Sequence, residues 1–227
     1  MFFEYPEKCR FGRKIPKSKF YENVNFNTKH KNKFINQIDK IVWQYKLAPD
    51  TLNLDATDTV PEIQVLDIFL KTKEIDQVML ELIDKAIPLP IIFQIYQEDK
   101  IKIKAAYKRP AGSSNNKWVL ESYLESNWEV DSIPRQPIPQ ALNLGKLYES
   151  ILVSFIPMNY EIDKKNDNLG DQIDIINKVR LLQKDIKMLN SNYKKEKQRN
   201  RQFEINKQIK LKKKELDKLS NSGKSNG

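Results

Sequence analysis

From Asp171 to Leu219 the chain runs 49 residues without a glycine or a proline. Those two residue types are the usual helix breakers, so nothing local stops this stretch from being helical. Its first half also carries a stripe: Ile175, Val179, Leu182, Ile186, Leu189 and Tyr193 recur at alternating steps of four and three, the spacing of a heptad seam. The stripe thins after Asn190, Ser191 and Asn192, and Phe203, Ile209, Leu216 and Leu219 resume it. A single rod of this length would extend roughly 73 Å. Two antiparallel helices turning near Asn190 to Tyr193 would bury both halves of the stripe against each other, and that hairpin, or a coiled coil with another helix, is the expected form.

The same stretch is basic. Residues 171–227 hold 16 Lys and Arg against 7 Asp and Glu, residues 1–46 hold 11 against 4, and residues 47–170 hold 13 against 19. Two basic ends flanking a mildly acidic middle point to a polyanion or an acidic partner at the ends, although a chain rich in Lys, Asn and Ile acquires such runs by composition as well. Lys194, Lys195, Lys197, Arg199, Arg201, Lys212, Lys213 and Lys214 are the candidates for phosphate contact, which gains affinity by releasing counterions. A purely electrostatic arm has no use for an apolar stripe, however. Packing on a partner helix therefore comes first, through Ile186, Leu189, Tyr193, Phe203, Ile209 and Leu216, with Asn200 and Asn206 as polar interruptions that set register and partner choice. The same seam would also allow self-association.

Several function classes drop out on residue counts. No stretch approaches the roughly 18 to 20 apolar residues of a membrane span, and the opening MFFEYPEK lacks the layout of a secretory signal. Cys9 is the only cysteine, which excludes an internal disulfide and fits a reducing cytoplasm. One cysteine and one histidine cannot make a four-ligand zinc site. A Ser-His-Asp arrangement would have to use His30, which sits among Lys29, Lys31 and Lys33 with no nucleophile marked nearby. The six glycines form no phosphate loop. No catalytic residue, metal or cofactor is assigned.

Ahead of the helical stretch, residues 1–160 read as an α+β core with a mostly antiparallel sheet. The opening through Phe20 is basic and without pattern, broken by Pro6 and Pro16. Phe34, Ile38, Ile41, Val42 and Tyr45 recur at helical spacing and predict an amphipathic helix that stops before Pro49, and Thr51 to Leu54 reads as a short strand. Glu62 to Lys71 is an apolar, β-branched strand, and Asp76 caps a helix with Met79, Leu82, Ile83 and Ala86 on its buried face. PIIFQIY, the turn QEDK and IKIKAAYKR form a hairpin, followed by a loop over 110–116, the strand KWVLESYLESNWEV, and a helix with Leu147, Ile151, Leu152 and Phe155. Residues 161–170 are a linker, 171–219 the helical unit and 220–227 a disordered tail.

Two constellations in the core bear on chemistry. Along IKIKAAYKR the alternation sets Lys102, Lys104 and Lys108 on one face, where they would suit single-stranded nucleic acid, or pair with Glu121 and Glu125 on the next strand. The pairing is the simpler account. A metal-dependent nuclease needs clustered carboxylates beside a lysine. Glu62 and Asp67 differ by an odd number and so face opposite ways on a strand, and Glu98-Asp99-Lys100 falls in a turn, which leaves that class the weakest.

Several stretches together resemble one bacterial family, the domain of unknown function 4391. They are Ile15-Pro16-Lys17 with Phe20-Tyr21; Trp43-Gln44-Tyr45-Lys46-Leu47 with Pro49, Thr51 and Asn53; Glu62-Ile63-Gln64-Val65; Leu82 through Pro88; Ala106-Tyr107-Lys108; and Glu196-Lys197-Gln198 with Asn200, Arg201, Glu204 and Asn206. The set spans nearly the whole chain in order. One position departs from the pattern: Arg199 stands where such proteins tend to carry Phe, which removes an apolar contact at the helical tip. The resemblance supplies no reaction. It implies a setting, because such genes often sit beside a helicase and a DNA methyltransferase in restriction-like or anti-phage loci. The expectation is a cytosolic, non-enzymatic adaptor docking on one of those partners, with a stand-alone nucleic-acid binder as the alternative. Lys17, Trp43, Tyr45, Lys46, Glu62, Gln64, Tyr107 and Lys108 would form one polar-aromatic patch.

Overall fold

The computed structural model describes residues 2–24, 26–110, 118–155 and 169–221. The loop expected over 111–116, most of the linker and the last six residues lie outside this range. The chain divides into two units, Met1–Phe155 and Ile156–Gly227.

In the first unit, β1 (Phe3–Glu4), a single 3-10 turn and β2 (Arg10–Ile15) precede two helices, α1 (Ser18–Asn23) and α2 (Thr28–Gln37). Then come β3 (Ile38–Leu47), the one-turn α3 (Pro49–Leu52), β4 (Ile63–Leu70), α4 (Gln77–Ala86), β5 (Ile91–Gln97), β6 (Lys100–Pro110) and β7 (Trp118–Glu125). Short strands β8 (Glu129–Val130) and β9 (Gln136–Pro137) lead to α5 (Leu144–Val153). The main sheet runs β2-β3-β4-β5-β6-β7, with β8 alongside β6. Every pairing in it is antiparallel except β4 with β5, which the α4 crossover joins in parallel. The fold is α+β with a mostly antiparallel sheet.

Both faces of this sheet are covered, which is why Ile63 through Ile68 and Ile91 through Ile95 are buried without a break. One face carries Leu66, Ile68, Phe93, Ile95 and Ala106 against Phe20 of α1, Phe34 of α2 and Met79, Leu80, Leu82 and Ile83 of α4. The other carries Val65, Ile92, Ile103 and Ala105. There α5 buries Leu147, Ile151 and Leu152 and anchors to the sheet by the Tyr148 hydroxyl, which donates to the Ala106 carbonyl at 2.7 Å.

The predicted helix over 34–45 holds only for its first turn, Phe34 to Gln37. The helix ends at Gln37, and Ile38–Leu47 is the second strand of the sheet. Register shifts between Ile38 and Lys40 and between Trp43 and Tyr45 insert one extra residue each, Asp39 and Gln44. Each bulge turns a period of two into a step of three, so Ile38 and Ile41 share a face at a spacing that mimics a helix. The predicted strand over Thr51 to Leu54 is instead α3, a one-turn helix beginning at Pro49 and ending in left-handed Asn53 (φ 57). Its Thr51 hydroxyl accepts from the Ala48 N–H at 3.0 Å. The supposedly patternless opening supplies an edge strand, β2, bulged at Gly12 with φ 64, a conformation that favours glycine. Asp76 does sit at the α4 N-cap, but its side chain makes no cap bond and faces Lys33. The Asp76 N–H donates to the Gln37 side chain at 3.0 Å.

The second unit is a helical hairpin, α6 (Leu169–Lys195) and α7 (Arg199–Asn221). Val179, Leu182 and Ile209 are buried along its seam, and cross-helix pairs Lys212–Asp185 (2.7 Å) and Lys178–Glu215 (3.3 Å) fix the antiparallel register. The turn lies at 196–198, not at Asn190 to Tyr193. Asn190 stays helical because its amide donates to the Ile186 carbonyl one turn back, at 2.8 Å. The chain breaks where the Glu196 carboxylate accepts from the Lys197 and Gln198 N–H groups, at 2.8 and 2.9 Å. Gln202 closes the turn by donating its amide to the Glu196 carbonyl at 2.6 Å. No helix among the described residues is long and apolar enough to cross a membrane.

Candidate functional site

The eight residues expected to form one patch separate by face and by strand end. Lys46, Glu62 and Gln64 do meet. Register places Lys46 opposite Gln64, the Lys46 ammonium lies 3.3 Å from the Glu62 carboxylate, and the Gln64 amide donates to the same carboxylate at 2.7 Å. Gln64 is buried and its carbonyl oxygen has no partner among the described residues. Trp43 shares this face, half-buried against the core and packed on Phe11 with ring centroids 4.3 Å apart.

Lys108 belongs to a neighbouring cluster on the same face. Its ammonium is 2.7 Å from the Asp84 carboxylate of α4 and donates to the Leu89 carbonyl at 2.6 Å. The Tyr123 hydroxyl donates to the other oxygen of Asp84. Burial works against both charges, pushing the Asp84 carboxyl up and the Lys108 ammonium down, and their mutual attraction offsets it only in part. The two clusters bracket one short segment: Lys108 holds the Leu89 carbonyl, and the Gln64 N–H donates to the Pro90 carbonyl at 2.9 Å. They tie the α4–β5 connection to the sheet from either side.

Tyr45 and Tyr107 point to the opposite face. Tyr45 packs on Tyr5 with centroids 5.0 Å apart, and Tyr107 lies opposite Ser122. Lys17 is at the far end of β3, where it donates to the Ile38 carbonyl; burial lowers its pKa, and Lys71 adds to the effect. The opposite face holds a buried network that sequence reasoning missed. The Gln94 amide donates to Asp67 at 2.6 Å, and Arg135 bridges to Asp131 at 2.8 Å while reaching Gln94 at 3.4 Å. Burial raises the Asp67 carboxyl to about 6 despite the Gln94 bond. Lone acidic residues at apolar positions, Asp67 within VLDIF and Asp84 within LIDKA, are the signal that could have found both networks.

The expected cross-strand pairing holds for Lys102 and Lys104 with Glu125 but not for Lys108, which turns to Asp84 of α4. Lys102 and Lys104 pair with Glu125 at 3.2 and 3.1 Å, so β6 offers no bare basic face there. Glu62 bonds on the Gln64 face while Asp67 meets Gln94 on the other, so they do not converge.

On the hairpin the cations divide. Lys194 and Lys195 end α6, Lys197 is in the turn, and Arg199 and Arg201 begin α7, so five exposed cations crowd the tip around Glu196. None of the five makes a direct ion pair among the described residues; the Glu196 carboxyl is held below its usual range mainly by the Gln198 and Lys197 N–H groups, with Arg201 adding to the effect. Lys212 is tied to Asp185, Lys213 lines a cleft on the hairpin, and Lys214 is exposed. Among the expected partner-helix positions Ile209 is buried, while Ile186, Leu189 and Leu216 are half-buried. Asn200 and Asn206 are exposed, as are Tyr193 and Phe203, the last 69% exposed.

A mixed sheet with both faces covered, joined in sequence to a helical hairpin with a basic tip, defines an α+β protein with a charged helical hairpin. The chain matches the family described as Domain of unknown function (DUF4391) over residues 3–216 and belongs to it. No curated protein and no solved structure matches it.

Proposed function

We propose that this protein is a cytosolic, non-enzymatic accessory subunit of a DNA-acting complex of the restriction-like or anti-phage kind. It docks on a helicase or DNA methyltransferase partner and carries the hairpin tip to the phosphate backbone. The observation that supports this reading is the tip itself, where five exposed cations surround a single carboxylate at the end of a braced arm. Phosphate contacts by such a cluster position a protein on nucleic acid without reading sequence, which suits a subunit whose partner supplies the chemistry.

The test couples two measurements on the full chain. Duplex DNA binding is titrated against salt for the native protein and for a variant with Lys195, Lys197, Arg199 and Arg201 changed to Gln. Four lost phosphate contacts lower the slope of log K on log salt by about 3 to 4. Affinity purification from the native host, with nuclease present, then retains a helicase or methyltransferase. A slope unchanged in the variant would remove the tip from the argument. DNA binding with no partner surviving nuclease would favour the stand-alone binder.

A further inference from the structure

The hairpin carries a second feature that adjoins its tip and shares Lys194 with it, an open cleft of about 550 Å³ along the α6 side. Its floor is apolar, Ile186 of α6 and Leu216 of α7, and Lys187, Lys194 and Lys213 stand around it with Asn190 between. No carboxylate lines it among the described residues. The lining on α6 runs from Gln183 to Lys194, three helical turns or roughly 16 Å. A cleft of that length, with an apolar floor and cationic rims, matches a helix that presents an apolar stripe flanked by Asp and Glu.

We propose that this cleft is the docking groove for an acidic amphipathic helix of a partner protein, which completes the hairpin as a three-helix bundle. The inference deepens the accessory-subunit reading and rests on it, while using a surface that shares only Lys194 with the tip, a residue the tip variant leaves unchanged. Three observations favour this occupant. Nucleic acid would use the three lysines but leaves an apolar floor without purpose. A second copy of the hairpin is a poor fit, since residues 171–227 hold 16 cations against 7 anions and would repel their like. An acidic helix satisfies floor and rim together, and Asn190 adds a side chain able to set its register.

The test uses site-specific photo-cross-linking. Ser191 lines the cleft, and Cys9 is buried, so a benzophenone carried on Ser191→Cys in the full chain labels the cleft alone. Irradiation in native host extract, with nuclease present, is followed by mass spectrometry of the joined peptides. The expected product is a segment of one other protein with net negative charge and apolar residues at steps of three and four. Its yield falls at least ten-fold when Lys187→Glu and Lys213→Glu are added, and holds in the tip variant that weakens DNA binding. Cross-links to nucleic acid, to a second copy of this chain, to a basic or patternless segment, or to nothing would each overturn the proposal. So would a yield indifferent to the charge reversal. A tip variant that loses DNA while the cross-link persists separates failure of the phosphate contact from failure of the groove.

Discussion

Replacing Lys108 with methionine removes one charge from a pair that solvent scarcely touches, the side chains of Lys108 and Asp84 being 4% and 1% exposed. Methionine keeps most of the volume, so the cost is electrostatic rather than a cavity. Asp84 is left with the Tyr123 hydroxyl as its remaining close donor, and the Leu89 carbonyl loses its ammonium partner. Removing one member of a buried pair costs about 3 to 5 kcal/mol. For a unit of this size that lowers the melting temperature by roughly 6 to 20 °C in a thermal scan. Adding Asp84→Asn should recover at least half of the loss, because no buried charge is then stranded and Tyr123 can still donate to the amide oxygen. The pH dependence has a definite sign. Without Lys108 the Asp84 carboxyl is raised further, so the folded variant holds a proton that the unfolded chain releases above its ordinary range. Stability of Lys108→Met therefore falls as pH rises above about 4, and its deficit is smaller at pH 5 than at pH 8. A deficit below about 1 kcal/mol, the range of exposed pairs, would refute the reasoning. Failure of the double variant to recover would do so as well.

Asp67 makes a parallel case on the opposite face. Its folded pKa of about 6 lies about 2 units above the usual 3.8, so its ionisation removes up to roughly 3 kcal/mol of stability as pH rises from about 4 to about 6. Asp67→Asn keeps an acceptor for the Gln94 amide and should flatten that slope in urea titrations at several pH values; an unchanged slope would assign the pH dependence elsewhere. At the hairpin turn, Glu196→Ala removes the acceptor of the Lys197 and Gln198 N–H groups. Hydrogen exchange should quicken at those two amides while the amides of α5 keep their native rates, and exchange unchanged at the turn would count against the carboxylate as its clasp.

The sheet was legible wherever one physical rule dominated. IIFQIY followed by a two-residue Glu98-Asp99 turn and IKIKAAYKR reads as a hairpin because alternation and turn chemistry agree, and Gln97 pairs with Lys100 as that reading requires. The strand at Ile63–Leu70 declares itself through its apolar and β-branched residues, which outnumber Gln64 and Asp67 and begin just after Pro61. Ile38–Leu47 misled because its two bulges imitate helical spacing, and bulges leave no local signature. Its abundance of β-branched and aromatic residues was the counter-signal, and periodicity outweighed it. Asn190 misled for a related reason. Asn is a turn residue by preference, yet a side-chain bond to the Ile186 carbonyl lets it stay in a helix, whereas the true break depends on where Glu196 can fold its carboxylate back onto the chain.

The site was legible in its residue types and not in its geometry. Lys46, Glu62 and Gln64 meet because an antiparallel register sets Lys46 opposite Gln64, and that register depends on the bulge at Gln44. With no bulge, a one-residue shift would turn Lys46 to the Tyr45 side and open the contact with Glu62. The same reasoning explains why Tyr107 and Lys108, adjacent in a shared motif, serve opposite faces: one packs on the side where Tyr148 anchors α5, and the other anchors α4 through Asp84. Residues that travel together in sequence need not share a site when they lie on a strand with both faces buried. Much of this motif therefore reports on how two layers are tied to one sheet, at the Leu89–Pro90 connection above all. On the hairpin, Lys197 and Arg199 lie at a turn clasped by Glu196, and a cleft with no carboxylate among its described lining residues runs beside Ile186. The hairpin itself is closed by a clasped turn and braced by two cross-helix ion pairs, and the charge-reversal and tip variants measure the proposed roles of its side and its tip separately.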